Sequence, residues 1–110
     1  MTGTLMSPAA LGLFRALIMR SGVGRDRFLL SDWKSVDWQS LTFMGERHEG
    51  HIRITGADSA AVAFRIVDRL GDAEFAIPGQ IVADIAPVGR PREASDGSTM
   101  LCIEALTIAE

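Results

Sequence analysis

The chain is poor in cysteine, in positive charge and in long apolar runs, and each shortage closes off a class of protein. One cysteine, Cys102, among 110 residues excludes an internal disulfide and supplies no paired-thiol zinc spacing. It fits a reducing, cytoplasmic setting. A reactive thiol would need a base or helix terminus beside it, and the sequence designates neither. Lys and Arg number 11 against 14 Asp and Glu, a net charge of −3, which argues against nucleic acid, whose phosphates demand clustered bases. The apolar run LGLFRALIM, Leu11 to Met19, is too short to span a bilayer and is broken by Arg15. No Lys or Arg precedes it, as a secretory signal would require, so neither a membrane nor a targeting segment is expected. Nucleophile elbow, HExxH and dinucleotide fingerprint are all missing, and no cofactor is expected.

What is present describes a folded domain. Apolar residues make up 47% of the chain, enough for one core and one domain spanning residues 1–110. Charge is uneven: residues 1–55 carry seven bases and five acids, residues 56–110 four and nine. The one basic cluster, RSGVGRDR (Arg20 to Arg27), reads as a solvated loop. Gly22 and Gly24 would let backbone amides approach an anion, but the spacing is not that of a P-loop.

Ser7 as cap, Pro8 at the first helical position and Gly22 as a left-handed stop bracket a helix. It is apolar on nearly every side, whereas a surface helix has one stripe. It therefore wants cover on two sides, and a second copy of the chain is a natural supplier. Residues 22–36 read as irregular, with RFLL as a short strand at most. Trp33 and Trp38 read as packing against the sheet or its edge, with a stacking platform for a sugar or base as the sharper alternative.

From Val36 the period becomes two. A two-residue turn at Glu49-Gly50 would set His48 directly across from His51. It would gather Leu41, Phe43, Ile52 and Ile54 on one face, and the histidines with Glu46 and Arg53 on the other. Two imidazoles so placed could share a metal ion with Glu46 as third ligand. Two ligands are few and Arg53 competes for Glu46, so a solvated hairpin tip is the expectation.

The segment TGADSAAVAFRIVDRLGD reads as a second helix, capped by Asp58 or Ser59 and closed by Gly71. Ser59, Val62, Ala63, Ile66, Val67 and Leu70 form its apolar face. A strand follows the Pro78-Gly79 turn, with Ile81, Ala83 and Ile85 on one face and Val82, Asp84 and Ala86 on the other. GRPREASDGS reads as a mobile loop. The last strand turns Leu101 and Ile103 inward, then breaks phase at Leu106 and Ile108. A β-bulge near Glu104-Ala105 would restore it; a central strand covered on both sides is the alternative.

The order αββαββ implies an α+β two-layer sandwich: a four-stranded antiparallel sheet with both helices on one face, in a permuted ferredoxin-like connectivity. A fold of this kind does not define a function. Alternation assigns to the uncovered face Trp38, Ser40, Thr42, Met44, His48, His51, Arg53, Thr55, Val82, Asp84, Met100, Cys102 and Glu104. That face is too apolar for a free surface and too polar for a core. The expectation is a non-catalytic homodimeric module, joined through the first helix or this face, that binds a partner or small ligand. The alternative is a small enzyme in which Asp84, Glu104 and His51 converge as acid/base groups.

Overall fold

The computed structural model describes residues 6–110. The first helix, α1 (Pro8–Ser21), begins where its capping chemistry places it. The Ser7 hydroxyl accepts from the Ala10 amide, Pro8 occupies the first turn, and Gly22 closes the helix at φ 78°. After a 3-10 turn at Arg25–Arg27 come two long strands, β1 (Phe28–Gln39) and β2 (Met44–Ile54). The second helix, α2 (Ser59–Val67), leads through a 3-10 turn at Leu70–Asp72 to β3 (Gln80–Pro87). A two-residue strand, β4 (Arg92–Glu93), and β5 (Thr99–Ala109) complete the chain.

The sheet is antiparallel throughout, ordered β1-β2-β5-β3, with β4 also pairing β5. Five strands stand in place of the four expected, since the loop after β3 contributes β4. That loop is also tied down. The Ala94 amide donates to the Ser98 carbonyl at 2.8 Å, and the Ser59 hydroxyl donates to the Gly97 carbonyl at 2.7 Å.

Both helices cover one face of the sheet. Leu13, Phe14 and Leu17 of α1 join Val62, Ala63 and Ile66 of α2 over Phe28, Ile52, Ile54, Leu101 and Ile103. The apolar breadth of α1 is met from within the chain: by the sheet, by α2, and by Ile77, which packs against Gly12. Each helix also caps the other. The Arg20 guanidinium donates to the Ile66 and Asp68 carbonyls at 2.9 and 2.5 Å, and that of Arg65 donates to the Ser21 carbonyl at 2.9 Å. These bonds satisfy carbonyls that a helix end leaves without partners.

Three sequence expectations are corrected. Residues 28–36 are strand, and the hairpin turns at Ser40–Phe43, where the Ser40 amide donates to the Phe43 carbonyl at 2.8 Å. Glu49-Gly50 lies inside β2. Leu41 and Phe43 accordingly sit exposed at the turn while Ile52 and Ile54 are buried. Finally, β5 carries no bulge: Thr99, Leu101, Ile103, Ala105 and Thr107 face the helices without interruption. The irregularities fall in β1, between Leu30 and Asp32, and in β3, between Val82 and Asp84. The second of these puts Val82 and Ile85 on the helix side, with Ile81 and Asp84 opposite.

Candidate functional site on the open face of the sheet

In an antiparallel sheet, residues directly opposed across strands share a face, so the register fixes what the uncovered face presents. At one end lies an apolar row of Trp38, Gly45, Ile108 and Ile81. Next come Val36, Arg47, Leu106 and Asp84, then Lys34, Glu49, Glu104 and Ala86. Beyond them Asp32, His51 and Cys102 lie abreast, and the last row is Leu29, Arg53, Met100 and Arg92. The face expected to carry function therefore does hold Trp38, His51, Arg53, Asp84, Met100, Cys102 and Glu104. Val82 belongs to the other side. Thr42 is exposed in the turn, and Met44, opposite Gln39, falls in the helix-side phase while remaining exposed.

The histidines separate. With Gly50 in the strand, His48 takes the phase of Ile52 and Ile54 and is 3% exposed beneath the helices, whereas His51 is on the open face. Glu46 shares the His48 side, where its carboxylate accepts from the Ser7 hydroxyl at 2.8 Å. His48, His51 and Glu46 thus do not converge on a metal, and there is no solvated tip at His48. Instead His48 is a satisfied core residue. Its Nδ1 accepts from the Trp33 indole at 3.3 Å and lies 2.8 Å from the Ser35 hydroxyl, and its Nε2 lies 2.9 Å from Thr107 Oγ1. An indole nitrogen only donates, so Nδ1 is the acceptor and Nε2 carries the proton toward Thr107. Burial lowers the pKa of His48 below its usual 6.5, against a smaller opposing pull from Glu46. Trp33 is buried edge-on to Phe14, a packing residue rather than a platform.

Two depressions mark the open face. One, of about 290 Å³, is lined by Lys34, Val36, Arg47, Glu49, Asp84, Glu104 and Leu106. The two carboxylates singled out in the sequence thus share a groove with two bases. His51 is not among its walls and is engaged elsewhere: its Nε2 lies 2.9 Å from a Glu49 carboxylate oxygen and 3.7 Å from Cys102 Sγ. Among the described residues no hydrogen bond joins Asp84, Glu104 and His51. The second depression, about 490 Å³, opens beside His51 and Cys102 and is walled by Val88, Arg90, Arg92 and Met100.

Sequence reasoning misses the grouping of Glu49, His51 and Cys102, because a turn at Glu49-Gly50 takes Glu49 off the strand that carries His51. The signal was available: residues 47, 49, 51 and 53 are all charged or imidazole, and 48, 50, 52 and 54 are their alternates. Burial raises the Cys102 pKa, with Glu49 and Glu104 adding to the rise, so the thiol stays protonated at neutral pH and is a poor nucleophile.

The fold and this face define an α+β two-layer sandwich with one sheet surface uncovered. Comparison with family models, with curated proteins and with solved structures finds no match to this chain. Among the described residues no helix is long and apolar enough to cross a membrane.

Proposed function

We propose that this protein is a non-catalytic module that self-associates through its open sheet face and holds a small ligand or partner segment there. The observation that carries this reading is the apolar content of a face no layer covers: Trp38, Ile81 and Ile108 at one end, Leu29 and Met100 at the other, Val36 and Leu106 between. Isolated apolar residues on a surface are ordinary, but Trp38, Ile81, Ile108, Val36 and Leu106 fall on two adjacent rows, and an uncovered apolar patch of that kind marks an interaction site. A second copy is the favoured occupant because the charges are self-complementary. In the two middle rows Lys34 and Arg47 lie on the β1–β2 half and Asp84 and Glu104 on the β5–β3 half, with Glu49 the one acid on the basic side. A two-fold axis along the strands would lay each half over its opposite. The groove between Asp84, Glu104 and Arg47 is the place for a small polar ligand. Bases and acids are interspersed over the face, which disfavours nucleic acid. The lone cysteine fits a cytoplasmic protein.

Sedimentation equilibrium on the full chain tests the reading. A dimer is expected for the natural sequence, and a monomer with an unchanged circular dichroism spectrum for Ile108→Asp and for Val36→Glu, the latter at a position already 62% exposed. A natural chain that stays monomeric at high concentration, or variants that remain dimeric, would overturn it. A charge at Leu17 in α1 would be unsuitable for such a test, because Leu17 is buried in the core.

A further inference from the structure

We infer that Glu49, His51 and Cys102 form a binding site for a zinc-class divalent cation, with one coordination position open to the cleft beside Met100. The three side chains come from the two central strands. His51 and Cys102 are directly opposed across β2 and β5, and Glu49 stands two residues before His51 on the same face. One ligand atom from each lies within 4.8 Å of the other two. Tetrahedral zinc, with bonds of about 2.0–2.1 Å to nitrogen and about 2.3 Å to sulfur, separates those two ligands by roughly 3.6 Å. Cys102 Sγ and His51 Nε2 are 3.7 Å apart. The Glu49 oxygen and Nε2, at 2.9 Å, need open only by about 0.5 Å to reach the roughly 3.4 Å of a tetrahedral edge, which a carboxylate rotation supplies.

A second observation points to a cation. Glu49 and Glu104 are directly opposed on the two central strands, and like charges so placed destabilise a sheet. Among the described residues neither carboxylate is ion-paired to Lys34 or Arg47. A divalent ion bound at Glu49 offsets that repulsion. The donor set of imidazole nitrogen, thiolate sulfur and carboxylate oxygen suits a borderline ion such as zinc and is poorly matched to calcium or magnesium, which take oxygen ligands. On binding, the Cys102 thiol proton leaves to solvent and the His51 proton moves from Nε2 to Nδ1 by exchange with water, so the ring stays neutral and Sγ and Nε2 both offer lone pairs to the metal; one proton is released net and no electron is transferred.

The site lies within one chain and does not depend on self-association. The test is therefore run on both the natural protein and the Ile108→Asp variant. Cobalt(II) is titrated into the reduced, untagged full chain and followed by absorption. One equivalent per chain is expected to give a thiolate-to-cobalt charge-transfer band in the near ultraviolet with visible bands of tetrahedral intensity, all bleached by added zinc. Cys102→Ser should abolish the charge-transfer band. His51→Ala should weaken binding by more than about tenfold, since loss of a ligand exceeds the effect of losing an outer-shell partner. Thermal melts without metal establish that each variant is folded. The absence of a charge-transfer band at millimolar cobalt, or a band that survives in Cys102→Ser, would overturn the site whatever the oligomeric state.

Discussion

At the scale of single residues, the same strand makes His48 structural and His51 available, because residues three apart in an unbroken strand face opposite sides, and a glycine between them makes room for Trp33. Gly50 stands opposite Trp33, and a side chain there would overlap the six-membered ring of that buried indole. Gly50→Ala is therefore expected to cost about 1–3 kcal/mol through overpacking. Urea denaturation would read the loss, whereas a turn glycine moved to alanine would act through backbone strain instead. The indole displaced by that change also holds His48. Replacing His48 by Leu strands Trp33 Nε1 and the Thr107 hydroxyl without their partner, at about 1–3 kcal/mol. His48 carries a pH dependence as well. Its folded pKa is lowered, so the unfolded chain takes up a proton more readily than the native one. Stability then falls as pH drops through the unfolded value near 6.5, and the fall levels off below the folded value. Urea midpoints are expected to decline from about pH 7 to pH 5 in the natural protein. That decline should vanish in His48→Leu; a slope that persists would place its origin elsewhere. Asp58 and Asp96 titrate below their usual 3.8, outside this window.

Elements were legible in the sequence where local chemistry is dense. Ser7, Pro8 and Gly22 bracket α1 because capping and left-handed closure are encoded in neighbouring residues. The apolar period of α2 placed its start, although its end comes earlier than Gly71: the helix stops at Val67, and Arg69 adopts φ 55°. The strand β1 was illegible for two reasons. Its bulge near Ser31 shifts the alternation partway along, and beyond Trp33 its helix-side residues are Ser35, Asp37 and Gln39, which carry no apolar signal. The reciprocal capping by Arg20 and Arg65 was equally hidden, since each bond spans more than 40 residues of sequence. It makes a testable unit of the two helices. Arg20→Met and Arg65→Met should each lower stability by about 1–2 kcal/mol, as charge-assisted bonds to helix-end carbonyls do. Because the two residues tie the same pair of helix ends, the double variant should lose less than the sum. Strict additivity in the double-mutant cycle would show that the caps act independently.

At the scale of the molecule, one side is closed and the other open, and the sequence foresaw the division better than its membership. Strict alternation in β5 put Met100, Cys102 and Glu104 on the open face, but that face could not be joined to Glu49 or Arg47 until the β2 register was known. Pairing is a long-range property, and a slip of one residue moves every side chain to the other face. The open face also governs how stability should respond to concentration. If two copies cover each other's sheets, assembly favours the native state by mass action. The thermal midpoint of the natural chain should then climb as protein is concentrated from micromolar to millimolar, while that of Ile108→Asp stays flat. Zinc separates the two uses of the face. Binding at Glu49, His51 and Cys102 should raise the midpoint of Ile108→Asp at any protein concentration and leave Cys102→Ser unmoved. The concentration slope of Cys102→Ser should persist, because Trp38, Ile81, Ile108 and Leu106 remain in place. Differential scanning calorimetry across both variables reads the two effects apart. A midpoint indifferent to concentration in the natural chain would remove self-association while leaving the metal site standing, and a midpoint indifferent to zinc would do the reverse.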